Sequence, residues 1–249
     1  MALKELKKGS VSFLMPCGSP VEPRVVQRAM CLVSHAWSKG HDIIQVGITD
    51  RTLVHTARNV LAKEFLQTES EWAFWMDSDM ILEPRTIDVM LTWADKLKAK
   101  MLTGIYYQRM GDHKPLVLKH SVKSQDGTVL RSGGPDAYVM VFPEGVGGLP
   151  FKVDTAGFGC VLMHRSVLEA MTEPYFIFDF VKDDKGKTLE MSEDFYFFRE
   201  AEKLGFDLWA VPELNCGHLG TAPVITHADM KAKLDMSNMV PAQMEVASK

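Results

Sequence analysis

Two aspartates, Asp77 and Asp79, stand directly after a run of apolar residues and are separated by Ser78. On an extended backbone, side chains two residues apart point to the same side, so both carboxylates can face one cation beyond the end of a strand. Carboxylate oxygens suit Mg²⁺ or Mn²⁺, which complete their coordination with water and phosphate. The pair therefore predicts a divalent-ion site beside a phosphate-bearing ligand. The alternative is a solvated acidic turn after a strand.

The hydrophobic pattern predicts the elements that position this pair. Apolar strand-like runs alternate with amphipathic stretches, which is typical of an α/β fold with helices on both faces of a sheet. Strands are predicted at residues 11–15, 43–48, 72–76, 101–107, 151–155, 160–163 and 206–211. Helices are predicted at residues 24–37, 54–66 and 193–204, the last capped by Ser192, and others begin at Pro84 and Ser166. The aspartate pair then follows the third strand, after two strand–helix units.

Apolar residues at helical spacing support the first two helices. In the first helix they are Val25, Val26, Ala29, Met30, Val33 and Trp37. In the second helix we predict that four of them pack inward: Val60, Leu61, Phe65 and Leu66.

With 249 residues, of which 46% are hydrophobic and 24% charged, the chain has the composition of a soluble globular protein. We predict one catalytic domain at residues 1–220, with an irregular insertion at about residues 108–150 and a tail at residues 221–249. We expect the four cysteines, which form no CxxC pair, to be buried thiols in a reducing compartment; they are Cys17, Cys31, Cys160 and Cys216. The chain has no apolar start typical of a signal peptide and no run long enough to cross a membrane, so we expect a cytoplasmic protein without a membrane partner.

The insertion is the best candidate for a surface that faces a polyanion. The net charge of −4 provides no global attraction to nucleic acid, so such a partner would have to meet a local basic patch. Between residues 109 and 131 of the insertion, five basic residues stand against only Asp112 and Asp126; they are Arg109, Lys114, Lys119, Lys123 and Arg131. The alternative is a solvated loop without a specific partner.

Further short motifs stand in a fixed order around the aspartate pair. They are Ala57-Arg58-Asn59 at the start of a helix, Gly157-Phe158-Gly159 before an apolar strand, Ser192-Glu193-Asp194 at the start of another helix, and Gly217-His218-Leu219-Gly220. Together with Phe74-Trp75-Met76-Asp77-Ser78-Asp79, this series resembles small stand-alone glycosyltransferases of the GT-A fold, which are nucleotide-diphospho-sugar transferases. One such motif is weak, but the order of all five is specific.

The resemblance implies a Rossmann-like mixed sheet flanked by helices. It also implies a metal-dependent enzyme that transfers a hexose or N-acetylhexosamine from a UDP-sugar to an acceptor hydroxyl. In this family Asp77 and Asp79 hold Mn²⁺ or Mg²⁺ against the diphosphate of the donor, Asp77 can also contact the ribose, and His218 supplies a third metal ligand. Asp194 is the general base if the enzyme inverts configuration, and it binds a substrate sugar if the enzyme retains configuration. Glu193 then holds the acceptor or orients the end of the helix.

The resemblance also implies a set of donor-binding residues. Arg58, with Asn59, would approach the diphosphate or the nucleotide, and Ser78 belongs to the same motif as the aspartates. The nucleobase would lie against the segment after the first strand, and two glycines would let the backbone approach the sugar. These residues are Pro16, Cys17, Gly18, Gly157 and Gly159.

The acceptor and the reaction class leave alternatives open. The chain resembles bacteriophage-encoded members, some of which glycosylate hydroxymethylated pyrimidines in DNA, and the basic insertion would then contact phosphates. A glycan, lipid or protein acceptor is the alternative. A haloacid-dehalogenase-type phosphatase also uses two aspartates after an apolar strand, with Asp183 and Asp184 as a later acidic pair. A nucleotidyltransferase and a non-catalytic sugar- or nucleotide-binding module are further alternatives.

Overall fold

The computed structural model describes residues 6–49, 52–109, 113–120, 138–140, 148–182, 186 and 188–220. Strands and helices alternate along its first part, as the hydrophobic pattern predicts. In order they are β1 (Lys7–Met15), α1 (Pro23–Ser38), β2 (Ile43–Ile48), α2 (Val54–Gln67), β3 (Ser70–Met76), β4 (Met80–Ile81), α3 (Thr86–Leu97) and β5 (Met101–Gly104). Shorter elements follow: β6 (Val117–His120), β7 (Tyr138–Met140), β8 (Phe151–Val153), β9 (Thr155–Ala156), β10 (Cys160–His164), α4 (Arg165–Ala170), β11 (Asp179–Lys182), β12 (Thr188–Met191), α5 (Glu193–Lys203), β13 (Leu208–Val211) and β14 (Gly217–His218).

A seven-stranded mixed sheet forms the centre, with the strand order β2-β1-β3-β10-β5-β13-β8. β1 is parallel to both β2 and β3, β13 is parallel to β5, and β10 runs antiparallel between β3 and β5. The carboxyl ends of β1, β3, β5 and β13 therefore meet the amino end of β10 at one edge of the sheet. This arrangement confirms the predicted mixed α/β class.

Two small sheets extend this edge. β14 pairs antiparallel with β4, so that His218 lies opposite Met80, directly after the aspartate turn. β6 pairs with β7 and with β9, so the described part of residues 108–150 contains two short strands. The first pairing brings the last motif of the sequence against the central one.

The core lies on both faces of the sheet because β3 is covered on both sides. Successive side chains of a strand point to opposite faces. Phe74 packs with Phe13 and Met90 in one buried cluster, and Trp75 packs with Phe65 and Phe197 in another. A strand buried on both faces reads as a continuous apolar run, which explains the sequence before the aspartates.

The apolar residues at helical spacing in α1 are only partly buried, and the predicted inward face of α2 is wrong in part. α1 buries Val25, Ala29, Leu32 and Ala36, whereas Val26, Met30 and Trp37 are exposed. In α2, Leu61 and Phe65 are buried and Val60 is exposed. The predicted apolar stripe is wider than the strip of each helix that contacts the sheet, and the sequence pattern does not show which part of the stripe makes that contact.

Smaller corrections concern helix starts and one cysteine. The short helix α4 is capped by the side chain of His164, which accepts a hydrogen bond from the backbone of Ser166, and not by Ser166 itself. α3 begins at Thr86, two residues after Pro84. Cys31 is exposed, while the other three cysteines are buried thiols as expected. Within the described residues, no helix is long and apolar enough to cross a membrane.

Candidate active site

The aspartate pair forms a tight turn between β3 and β4. The backbone N–H of Asp77 donates to the carbonyl of Gly159 at 3.2 Å, and the N–H of Met80 donates back to the carbonyl of Asp77 at 3.1 Å. On the other side, the N–H of Leu219 donates to the carbonyl of Asp79 at 2.8 Å. The turn is thus held between the start of β10 and the end of β14, which places three of the five motifs together.

A buried arginine joins this turn to the start of α5. Arg58 lies on α2 and is 2% exposed. Its Nη2 donates to Oδ1 and Oδ2 of Asp77 at 2.8 and 3.0 Å, and its Nη1 donates to Oε1 of Glu193. The guanidinium carbon lies 5.0 Å from the ring centroid of Phe158. Burial lowers the pKa of Arg58, but the charges of the surrounding carboxylates raise it above its ordinary value, so the guanidinium stays charged.

The acidic pair in the first turn of α5 has a perturbed environment. Burial raises the pKa of Glu193 and of Asp194 above their ordinary values, against the opposing charge of Arg58. Oδ1 of Asp194 accepts hydrogen bonds from the hydroxyl of Ser192 and from the N–H of Phe195. Ser192 occupies the predicted N-cap position, but it makes no side-chain cap bond. Its hydroxyl serves Asp194 instead, which positions that carboxylate.

Asp79 faces His218 and Arg109. Its Oδ2 lies 3.4 Å from Nε2 of His218 and 2.8 Å from Nη1 of Arg109. Nδ1 of His218 donates to the carbonyl of Tyr107 at 2.6 Å, which orients the ring with its Nε2 towards the carboxylate. Burial raises the pKa of Asp79, but the hydrogen bond and charge of His218 and the charge of Arg109 outweigh burial and lower it.

Two of the three predicted metal ligands therefore fit a divalent ion. A carboxylate oxygen and an imidazole nitrogen that each lie about 2.1 Å from one ion are roughly 3 Å apart, close to the separation of Asp79 and His218. A backbone carbonyl that orients the second imidazole nitrogen is usual for metal-binding histidines. Asp77 is bound to Arg58 instead. In the described part of the chain, no three His, Cys, Asp or Glu side chains are gathered closely enough to hold one ion.

The segment after β1 lies beside the aspartate turn. The N–H of Cys17 donates to Oγ1 of Thr49 at 3.0 Å, and burial together with the nearby charge of Asp77 raises the pKa of the Cys17 thiol. Pro16 is buried and Gly18 is exposed at the end of the same segment. Pro16, Cys17 and Gly18 thus lie at the edge of the sheet that carries the aspartate turn. Their contact with a nucleobase stays a prediction.

Asn59 has a structural task in this fold. Its Nδ2 donates to the carbonyls of His55 and Phe176 at 2.9 and 2.6 Å, and its Oδ1 accepts from the N–H groups of Tyr175 and Phe176. The amide therefore ties α2 to residues 175–176, whose Phe176 ring lies 6.0 Å from the guanidinium of Arg58. Asn59 supports Arg58 through this contact, and its binding to the donor stays a prediction.

Tyr106 shapes the site next to Gly157 and Gly159. Its hydroxyl accepts a hydrogen bond from the N–H of Gly159 at 2.9 Å, and its ring meets that of His218 edge to face at 5.2 Å. A Cβ atom on Gly157 would lie 2.1 Å from this hydroxyl, and one on Gly159 would lie 2.9 Å from the ring carbon that carries it. Burial, with the nearby charges of Asp77 and Asp194, raises the pKa of Tyr106 well above its ordinary value.

The two glycines are thus required where Tyr106 packs, and contact of their backbone with a sugar stays a prediction. The pattern of the sequence did not identify this packing role, because a tyrosine in or after a strand is common.

The basic insertion is described only in part. Arg109 lies at Asp79, and Lys114 and Lys119 are half-buried. Lys123 and Arg131 lie outside the described residues, as do residues 183–184 and 221–249. An acceptor-binding role for this basic set stays a prediction.

Comparison with known proteins identifies likeness in structure. No protein-family model and no curated protein sequence matches the chain. The structure is similar to A197 from STIV, with a TM-score of 0.50 and 17% identity over 84% of this chain and 85% of that chain. It also matches GalNAc-T7 solved with UDP, GalNAc and Mn²⁺, with a TM-score of 0.47 and 10% identity over 84% of this chain and 43% of that chain.

A third match is a glycosyltransferase involved in the glycosylation of the major capsid of PBCV-1, with a TM-score of 0.36 and 12% identity over 64% of this chain and 62% of that chain. The likeness to A197 covers most of both chains and shows a shared fold. In the protein described here, the seven-stranded mixed sheet and its helices carry the aspartate turn, Arg58 and the acidic start of α5.

Proposed function

We propose that this protein is a metal-dependent glycosyltransferase that moves a sugar from a UDP-sugar to an acceptor hydroxyl. One observation carries the proposal: Arg58 binds Asp77 with one amino group and Glu193 with the other. Arg58 thereby links the turn of Asp77 and Asp79, which would hold the donor phosphates, to the pair Glu193 and Asp194, which contains the candidate base. Sugar transfer from a nucleotide-diphosphate donor needs a group that holds the leaving diphosphate, and it needs a base that takes the proton of the acceptor hydroxyl.

The donor side of the reaction would be served by Asp79 and His218. They are the residues that would hold Mn²⁺ or Mg²⁺, with water and donor phosphate oxygens as the remaining ligands. The bound ion would stabilise the negative charge on the nucleoside diphosphate as the sugar–phosphate bond breaks. Asp77, whose carboxylate is fixed by Arg58, would contact the ion through water or the ribose of the donor.

The acceptor side would be served by Asp194. As the acceptor oxygen bonds to the anomeric carbon, its proton passes to the carboxylate of Asp194, and the bonding pair of the old C–O bond leaves with the diphosphate. A pKa raised by burial makes this carboxylate a stronger base than an exposed aspartate. The hydroxyl of Ser192 and the N–H of Phe195 donate to its Oδ1, and these two hydrogen bonds fix the orientation of the carboxylate. Glu193, bound to Arg58, would orient this first turn of α5.

The geometry disfavours the phosphatase alternative. In that class the first aspartate attacks phosphorus and ends the first strand of the core. Here β1 and β2 precede β3, and both oxygens of Asp77 accept hydrogen bonds from a buried arginine. A binding module without turnover would have no need for Asp194, a half-buried carboxylate whose charge acts on Arg58.

A donor-consumption assay tests the proposed class. The protein is incubated with Mn²⁺ and either UDP-hexoses or UDP-N-acetylhexosamines, together with a panel of acceptors, and free UDP is measured. We expect release of UDP that stops when EDTA removes the metal and that is lost in Asp79→Ala. Phosphate release from a phosphomonoester, or donor binding without any release of UDP, would contradict the proposal.

For the acceptor, we propose the hydroxymethyl group of a pyrimidine in DNA, with a glycan, lipid or protein as the alternative. The support is the excess of basic residues between positions 109 and 131, of which Arg109 lies at Asp79 and Lys114 and Lys119 are half-buried. Transfer of labelled sugar to duplex DNA with hydroxymethylated pyrimidines, compared with unmodified duplex and simple glycans, decides between them. Label on the glycans alone would exclude DNA as the acceptor.

A further inference from the structure

Two nitrogen atoms approach the same oxygen of Asp79. Nη1 of Arg109 lies 2.8 Å from Oδ2, and Nε2 of His218 lies 3.4 Å from the same atom. Because Nδ1 of His218 donates to a backbone carbonyl, the ring is oriented with its Nε2 on the same side as Oδ2 of Asp79. The guanidinium of Arg109 therefore provides positive charge to the oxygen that a divalent ion would use.

The two arginines of the site differ in how firmly they are held. The side chain of Arg58 is 3% exposed and binds two carboxylates, whereas the side chain of Arg109 is 53% exposed. An ion pair that solvent reaches is weak and is readily exchanged. Arg58 is therefore a permanent part of the site, while Arg109 can leave Asp79 at little cost.

Backbone hydrogen bonds hold the chain just before Arg109, and from there a rotation of its side chain can move the guanidinium away from Asp79. The N–H of Gln108 donates to the carbonyl of Lys114, and the N–H of Leu116 donates to the carbonyl of Tyr106, both at 2.9 Å. Nδ1 of His113 donates to the carbonyl of Gln108 at 2.9 Å. These bonds keep the main chain before Arg109 close to Asp79, whichever position the guanidinium takes.

We infer that Arg109 is an exchangeable cation of the donor site. It neutralises Asp79 before the divalent ion binds, and it contacts the donor diphosphate after the ion has taken its place at Asp79. The inference rests on the proposed function, because it assumes an ion and a diphosphate in this site. It assigns Arg109 to donor binding, in contrast to the acceptor role predicted for it from the basic insertion.

The exchange has two consequences of opposite sign. Removal of Arg109 strengthens the binding of Mn²⁺ alone, because the ion no longer competes with a positive charge for Asp79. The same change weakens the binding of UDP in the presence of Mn²⁺, because a charge-assisted contact with phosphate oxygens is lost. A purely structural ion pair would not change the two affinities in opposite directions. A contact with acceptor phosphates would leave the UDP affinity unchanged, because no acceptor is present in that measurement.

Titration calorimetry with Mn²⁺ alone, and then with UDP at saturating Mn²⁺, tests the inference. For Arg109→Gln we expect the Kd for Mn²⁺ to fall about three- to tenfold and the Kd for UDP to rise about tenfold. Arg109→Lys, which keeps the charge, should restore the weaker Mn²⁺ binding. The matched control is Lys7→Gln, since the Lys7 side chain is 54% exposed, is paired with Asp42, and lies at the opposite end of β1.

The outcomes separate this inference from the proposed function. If the parent protein binds Mn²⁺ and UDP but Arg109→Gln leaves either affinity unchanged, the inference is wrong and the proposed function stands. If Lys7→Gln strengthens Mn²⁺ binding as much as Arg109→Gln does, the effect is one of net charge, and the inference is wrong. If the parent protein binds no Mn²⁺, both the inference and the proposed function fail.

Discussion

Both carboxylate oxygens of Asp77 accept hydrogen bonds from a single amino group of Arg58, at 2.8 and 3.0 Å. The guanidinium is buried and has Glu193 on its other side. A buried guanidinium is tolerated because carboxylates of opposite charge surround it. Removal of one member of this group leaves the remaining charges buried without a partner, and their desolvation is then uncompensated.

Arg58→Met should therefore destabilise the protein strongly. Two carboxylates lose their cation, which costs about 3 to 5 kcal/mol of the free energy of unfolding. Urea unfolding measures this loss, and Glu193→Gln in the same chain should recover part of it. UDP binding under native conditions should also be lost, because Asp77 is no longer held.

The matched control for Arg58 is Arg165→Met. Arg165 is a second buried arginine, but it donates to the backbone carbonyls of Phe65, Leu66, Thr68 and Ser70, away from the aspartate turn. This variant should lose stability and yet bind UDP normally while folded. Equal loss of UDP binding in both variants would mean that Arg58 acts only through stability.

Asp79→Ala and His218→Ala should each weaken Mn²⁺-dependent UDP binding by about 10- to 100-fold, because each removes one ligand of the ion. Calorimetry with and without Mn²⁺ measures the effect. A matched pair lies outside the site, where Nε2 of His41 is 2.9 Å from Oδ1 of Asp88. If His41→Ala and Asp88→Ala weaken UDP binding as much, the assignment of Asp79 and His218 to the ion is wrong.

Asp194→Asn should keep UDP binding and lose sugar transfer by at least about 100-fold, since a general base contributes that much. Product formation under single-turnover conditions measures the chemical step. Asp207→Asn changes an exposed aspartate outside the site and should transfer sugar at the parent rate. Transfer by Asp194→Asn at the parent rate would exclude Asp194 as the base.

The same variant should alter the dependence of stability on pH. Burial raises the pKa of Asp194, so the folded protein keeps this proton at pH values where the unfolded chain has lost it. Stability therefore falls as pH rises from the ordinary aspartate pKa to the raised one, and stays low above it. Asp194→Asn should lack this contribution and be more stable than the parent at pH 7. Urea midpoints at pH 4 and pH 7 test this, and a larger decline in the variant than in the parent would contradict it.

His164 should make the protein less stable in mild acid. Its Nδ1 accepts the N–H of Ser166 as the cap of α4, which requires an unprotonated nitrogen, and burial lowers the pKa of His164 below its ordinary value. The unfolded chain therefore binds the proton first, and stability is lost as pH falls through the ordinary histidine pKa towards the lowered one. Urea midpoints at pH 7.5 and pH 5.5 measure the loss, which should shrink in His164→Asn because asparagine caps at both pH values. An unchanged pH dependence in that variant would contradict the role of His164.

Gly157→Ala should destabilise the protein by about 1 to 3 kcal/mol, as overpacking does. Its new Cβ would lie 2.1 Å from the hydroxyl of Tyr106. Tyr106→Phe removes that hydroxyl and should recover part of the loss in the double variant. Gly18→Ala is the control, because its Cβ would meet only the carbonyl of Thr52 at 3.5 Å. Additive losses in the double variant would show that Tyr106 is not the cause.

The sequence by itself determined the order of elements and the position of the central turn. β1, α1, β2, α2 and β3 lie where the hydrophobic pattern predicts them, because the repeat of a strand or a helix is a local property of the chain. The acidic start of α5 and the aspartates after β3 could be recognised for the same reason. Their motifs are short and continuous.

Only the tertiary structure decided which of these groups meet. No motif shows that the guanidinium of Arg58 binds both Asp77 and Glu193, or that Arg109 of the basic insertion lies at Asp79. The exposed side of α1 was likewise not evident from its spacing. Pairing between distant residues depends on the order of strands in the sheet and on how side chains fill the space between elements, and neither leaves a periodic signal in a single sequence.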